Sequence, residues 1–216
     1  MSYRPNLNYF SHPSYVTQDA DAGVLRSRGG TRLLGISDDF LRGFVLACED
    51  EAGSATPLLL RRCGSFYGQR LAERIERELQ SFAGTPLHSR TMPEFAALIE
   101  DLWNGLGMGC ITADYSHVQL GLIAIKLQHS PMQDIGPKGH TADDLLCGII
   151  EGFFRYFTGT ASDGSEGLRA LQTGDQRLGD REGTTFILGF TEVIRQAEAL
   201  IAQRLPHSEI LKRLGV

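Results

Sequence analysis

The stretch Val118-Gln119-Leu120-Gly121-Leu122-Ile123-Ala124-Ile125-Lys126-Leu127-Gln128-His129 decides the fold class. Ile123, Ile125 and Leu127 alternate with Ala124, Lys126 and Gln128, the period of two that half-buries a strand. Residues 109–115 read as a second strand, and the polar Ser116-His117 turn between the two predicts an antiparallel hairpin.

Upstream of the hairpin the period changes to that of helices. Ser37 before Asp38-Asp39 is a helix start, because a hydroxyl and early carboxylates answer the free N–H groups of the first turn. Phe40, Leu41, Phe44, Val45 and Cys48 follow on one face, and Gly53 is the stop. A second helix is expected from Thr56-Pro57 to about Phe82, with proline in the first turn where its missing N–H costs nothing. Thr91-Met92-Pro93-Glu94 is a capping box, and it opens a third helix that runs to Asn104. The glycines at 105, 107 and 109 end that helix and lead into a strand, the wrong order for a dinucleotide loop.

Downstream, Thr141-Ala142-Asp143-Asp144 caps an apolar helix from Leu145 to Phe157. Short strands are expected near 168–173 and 184–190, then amphipathic helices at 191–205 and 208–214 separated by Pro206. The order predicts an α+β fold, with helices packed on antiparallel hairpins. Residues 37–190 form its core, 1–36 a flexible N-terminal arm and 191–216 a C-terminal helical extension. The arm carries Tyr3, Tyr9, Phe10 and Tyr15, aromatic for a linker and suited to docking on a partner or a ligand.

Composition removes several function classes. The 216 residues carry a net charge of −5, so no global basic field attracts nucleic acid. No apolar run approaches the roughly 18–20 residues of a membrane span, and the first residues lack the pattern of a secretory signal. A soluble, cytoplasmic protein that is not integral to a membrane is the expectation. The six histidines show no metal-ligand spacing, and Cys48, Cys63, Cys110 and Cys147 form no close pair, so metals and disulfides are not expected and the thiols read as buried. No nucleophile motif or phosphate loop is present; the chain reads as a non-enzyme without a cofactor.

Two oddities remain. Gly64 and Gly68, and again Gly148 and Gly152, stand one turn apart in helices where each costs about 1 kcal/mol against alanine. They fit a backbone approach too close for a Cβ, either inside the fold or at a subunit contact. Glu151 lies in an otherwise apolar helix and requires a donor, for which an arginine of the second helix is the expected partner.

An ordered series of short motifs resembles the D subunit family of the bacterial cellulose synthase complex. It comprises the acidic helix Phe44–Gly53, Leu58-Leu59-Leu60-Arg61-Arg62-Cys63-Gly64, Arg70-Leu71 and the helix Glu94–Asn104 after Thr91. The paired strands Gly109–Ile125, His129–Pro131, Ile149-Ile150-Glu151-Gly152 and Phe186-Ile187-Leu188 continue it. Met108-Gly109 stands where the family has Trp-Gly, and its Trp-Leu-x-Pro is replaced by Asp144-Leu145-Leu146-Cys147. The resemblance implies a non-catalytic scaffold, an octamer built from dimers, that works with other cellulose synthase operon proteins and organises glucan chains. On that reading the arm's aromatics suit sugar stacking. The glycine-studded helices and the late apolar helix with Cys147 also resemble V4R domains, which sense small hydrophobic molecules; that is the alternative.

Overall fold

The computed structural model describes residues 9–10, 15–132, 135, 143–158, 167–175 and 183–216. Tyr3 and the expected cap at Thr141 lie outside them. Strands β1 (Val16–Asp19), β2 (Val24–Ser27) and β3 (Arg32–Leu33) make a small antiparallel sheet in that order. Local turn chemistry folds it: Ala22 N–H donates to Asp19 Oδ1 at 2.9 Å, and Gly23 supplies the left-handed step at φ 63°. Residues 15–36 are therefore a built sheet where the sequence predicted a flexible arm.

Helix α1 (Asp38–Ala52) follows Ser37, whose hydroxyl makes no capping hydrogen bond where the sequence predicted one, and has Asp38 and Asp39 in the first turn and Gly53 after the last. Helix α2 (Thr56–Ala83) carries Pro57 at its start and stops at left-handed Gly84, whose N–H donates to Gln80 O. Helix α3 (Met92–Gly105) has the capping box: Thr91 N–H donates to Glu94 Oε2 at 3.1 Å. Strands β4 (Cys110–Asp114) and β5 (Leu122–Gln128) form the hairpin, with Ile111 opposite Leu127. Residues 118–120, expected in the strand, are a 3₁₀ turn that Gly121 ends at φ 72°. Helix α4 (Asp144–Thr158), strands β6 (Arg169–Gly174) and β7 (Thr184–Gly189), and helices α5 (Thr191–Ile201) and α6 (His207–Arg213) complete the described chain. The fold is α+β.

The larger sheet runs β4-β5-β7-β6, antiparallel throughout, and both its faces are covered. Ile125, Leu127, Phe186 and Leu188 enter the main core with α2, α3 and α4. Leu122, Ala124 and Ile187, one residue out of step, meet Ile194, Ala197 and Ile210 of α5 and α6. Strict alternation thus serves two cores, and β7 is buried along its whole length because helices lie on each side. The C-terminal helices are a layer of the fold.

Candidate ligand site

Helices α2 and α4 cross where the four glycines stand. A Cβ on Gly148 would strike the Arg61 carbonyl oxygen and lie 2.9 Å from Ser65 N; one on Gly64 would strike Leu145 O and lie 2.8 Å from Ile149 N. Gly68 and Gly152 repeat this against the Ile149 and Ser65 backbones. The structure brings Gly64, Gly68, Gly148 and Gly152 together inside one chain, which leaves them no surface for a subunit contact. Beside them Glu151 is buried, and its Oε1 accepts from Arg61 Nη1 at 2.7 Å and from Ala170 N–H at 3.0 Å. Arg61 also reaches Asp144 Oδ1 at 3.2 Å and Ala170 O at 3.0 Å, so one ion-paired node ties α2, α4 and β6. Every partner is structural.

The arm's aromatics are placed differently from their expected role. Tyr9, Phe10 and Tyr15 are 3 %, 2 % and 2 % exposed and pack on one another with ring centroids 5.0–5.8 Å apart. Glu78 of α2 holds their sheet, accepting from Ser27 Oγ at 2.7 Å, Thr31 Oγ1 at 3.2 Å and Tyr15 OH at 3.3 Å. Interior rings offer no stacking face to a glucan or a partner. The cysteines also depart from the uniform burial expected: Cys147 is buried, Cys48 and Cys63 are half-buried, and Cys110 is exposed. Among the described residues no three His, Cys, Asp or Glu side chains converge as a metal set, and no helix is long and apolar enough to cross a membrane.

A second aromatic group has the makings of a site. Helix α3 contributes Phe95 and Trp103, helix α4 contributes Phe153, Phe154 and Phe157, and Tyr115 follows β4. Phe95 lies 6.4 Å from Tyr115, 6.0 Å from Phe154 and 5.3 Å from Phe157; Phe153 lies 6.1 Å from Trp103 and 5.2 Å from Phe157. Most of these pairs are edge-to-face, so the group is a connected wall of rings. Two donors inside it have no hydrogen-bond partner among the described residues: Trp103 Nε1–H, fully buried, and the Tyr115 hydroxyl. Burial pushes the Tyr115 phenol well above its ordinary range, with the charge of Glu100 acting the same way. It therefore stays protonated and able to donate. A buried polar group left unpaired costs about 1–3 kcal/mol, so an acceptor brought to either donor would be favoured.

The sequence places Phe95 and Trp103 on the expected third helix and Phe153, Phe154 and Phe157 on the apolar helix after residue 144, and singles none of them out. The one available signal was that the chain's single tryptophan, an obligate donor, sits among the apolar residues of that third helix. Whether that donor is paired depends on residues distant in sequence.

No family model matches the chain, and no curated protein matches it. Solved structures do. The chain is similar to the phenol-responsive sensory domain of the transcription activator PoxR, determined with phenol. The TM-score is 0.64 at 15 % identity, over 94 % of this chain and 100 % of that one. It is also similar to a trafficking protein particle complex subunit 3 from Naegleria fowleri covalently bound to palmitic acid, with TM-score 0.50 and 15 % identity over 71 % and 95 % of the two chains. A vinyl-4-reductase family protein from Methanocaldococcus jannaschii matches at TM-score 0.48 and 14 % identity over 74 % and 84 %. At these identities the likeness is one of fold.

Proposed function

We propose that this chain is a non-catalytic sensory domain that binds a small neutral aromatic molecule within the ring cluster of α3, α4 and β4. The observation that carries the proposal is Trp103, a fully buried donor without an acceptor among the described residues, set in a wall of phenylalanines. Rings favour an aromatic guest by edge-to-face contact, and an unpaired donor favours a guest that brings one acceptor oxygen. The fold supports the same reading. The PoxR sensory domain is described with phenol and the trafficking subunit with palmitic acid, so two chains of this fold hold a predominantly apolar small molecule.

The cellulose-scaffold reading has no comparable support. Its glycines are spent on the α2–α4 crossing, Tyr9, Phe10 and Tyr15 are interior, and none of the three neighbours is a cellulose synthase subunit.

The sole tryptophan makes the test direct. Phenol and toluene share a ring and nearly a size, and differ in the polar oxygen. Phenol is expected to raise the melting temperature and change Trp103 emission, and toluene to bind about tenfold more weakly, the equivalent of one hydrogen bond. Trp103→Phe keeps a ring but removes the donor, and should bring phenol down towards toluene in a thermal-shift titration. If no neutral aromatic at millimolar concentration shifts either signal in the wild-type protein, the reading fails.

A further inference from the structure

The rings of the candidate site run from the surface inward. Phe95, at the start of α3, faces Phe157, near the end of α4, at 5.3 Å, whereas Trp103, near the end of α3, faces Phe153, one turn earlier on α4, at 6.1 Å. The two helices are therefore antiparallel here, and Trp103 stands about 12 Å further along α3 than Phe95. Exposure falls in the same direction. Tyr115 and Phe157 are half-buried, Phe95 is 8 % exposed, and Phe153 and Trp103 are sealed.

Tyr115 is the one member of this group that no helix carries. It lies on the turn after β4, between exposed Asp114 and Ser116. The backbone of that turn is pinned: Ser116 N–H and Oγ–H donate to Asp114 Oδ1 at 2.9 Å and 2.6 Å, and Val118 N–H donates to Tyr115 O at 3.2 Å. The side chain is the part free to move, by rotation about its own torsions. Its ring meets Phe95 edge-on at 6.4 Å, and its hydroxyl is buried without an acceptor among the described residues. An outward swing forfeits one ring contact but returns that hydroxyl to water, so the two effects oppose and the open state lies within reach.

On the reading of the ring cluster as a ligand site, we infer that Tyr115 is its door. A guest enters where Tyr115 and Phe157 meet Phe95, passes inward, and stops at Phe153 and Trp103. The throat is aromatic throughout, so it admits compact neutral molecules and refuses ions, whose desolvation nothing there repays.

Trp103, the sole tryptophan, reports on the door with or without a ligand. Acrylamide, small and neutral, should quench wild-type emission slowly, and iodide should not reach it. Tyr115→Ala should raise the acrylamide rate constant by roughly tenfold, the factor that losing one ring contact gives a local opening equilibrium. Iodide should remain excluded. Tyr115→Phe keeps the ring and removes the inward hydroxyl, so it should hold the door at least as firmly as the wild type. Phe157→Leu trims the other side of the mouth and should act as Tyr115→Ala does, which decides the matter if the alanine variant does not fold. Phe40→Ala, at an exposed ring on α1, should change nothing. Phenol should protect Trp103 from acrylamide in every folded variant; a door effect without that protection removes the ligand reading and leaves the passage. Folded mouth variants, with wild-type circular dichroism, that quench at the wild-type rate overturn the inference. So does iodide quenching that rises in step with acrylamide, since Trp103 is then reached by unfolding, or a wild-type Trp103 quenched as fast as free indole.

Discussion

At Gly148 a single hydrogen atom decides whether two helices can touch. Its missing Cβ is where the Arg61 carbonyl of α2 lies, and the reciprocal glycine Gly64 admits the Leu145 carbonyl of α4. Backbone cannot retreat as a side chain can, so Gly148→Ala must push α2 and α4 apart and disturb the Arg61–Glu151 pair beside them. We expect a loss of about 3 kcal/mol or more, and outright unfolding for Gly148→Leu. Gly43 is the control, a helical glycine of α1 whose added Cβ would meet nothing within 4 Å. Gly43→Ala should stabilise by up to about 1 kcal/mol through helix propensity alone. Thermal melts of the two alanine variants read opposite signs if the glycine is structural. A Gly148→Leu protein that stays folded and merely changes mass would return the residue to a subunit contact.

At the scale of elements, the N-terminal sheet is held by a few polar contacts, and its buried phenols tie its stability to alkaline pH. Tyr9 is pushed up to about 12, first by burial and then by the Glu78 carboxylate, against the opposing pull of Arg28; Tyr15 is raised for the same first two reasons. An unfolded tyrosine ionises near 10, so the folded sheet favours the protonated phenols. Their contribution to stability is complete below about pH 10 and is lost as pH rises towards about 12. Melting temperature should fall over that window, and Tyr9→Phe should flatten the fall; an unchanged slope would show that the sheet does not control it. The helices were legible because their ends are written locally: Pro57, the Thr91–Glu94 box and Gly53 all act within a turn. The sheet was not legible, because strands of four, four and two residues carry little periodicity. What holds them, Glu78, stands 51 residues beyond Ser27. The candidate site hid for a related reason: sequence identifies Trp103 as a donor, but only the packed neighbours decide that it lacks an acceptor among the described residues.

The whole molecule is three layers, with the β4-β5-β7-β6 sheet between α2–α3–α4 and α5–α6. Reading 191–216 as an extension treats the last layer as dispensable, and the packing says otherwise. Ile194, Ala197 and Ile210 are fully buried, and the surfaces that bury them are Leu122, Ala124 and Ile187 of the two central strands. Those strands carry their other residues, Ile125 and Phe186, into the core beneath the ring cluster, so loosening one face loosens the floor of the other. A chain ending at Phe190 would leave Ile187, Leu122 and their neighbours in water, each large side chain forfeiting about 1.5–3 kcal/mol of burial. Since a domain of this size holds only about 5–15 kcal/mol in reserve, the truncated chain should be unfolded or aggregated at room temperature. A milder variant tests the same coupling without that loss. Ile194→Ala should cost about 2–5 kcal/mol and lower the whole unfolding transition as one, Trp103 emission moving together with far-ultraviolet circular dichroism. A truncated chain that melts cooperatively near the wild-type temperature, or an Ile194→Ala protein in which Trp103 unfolds independently of the helices, would make the C-terminal layer an appendage after all.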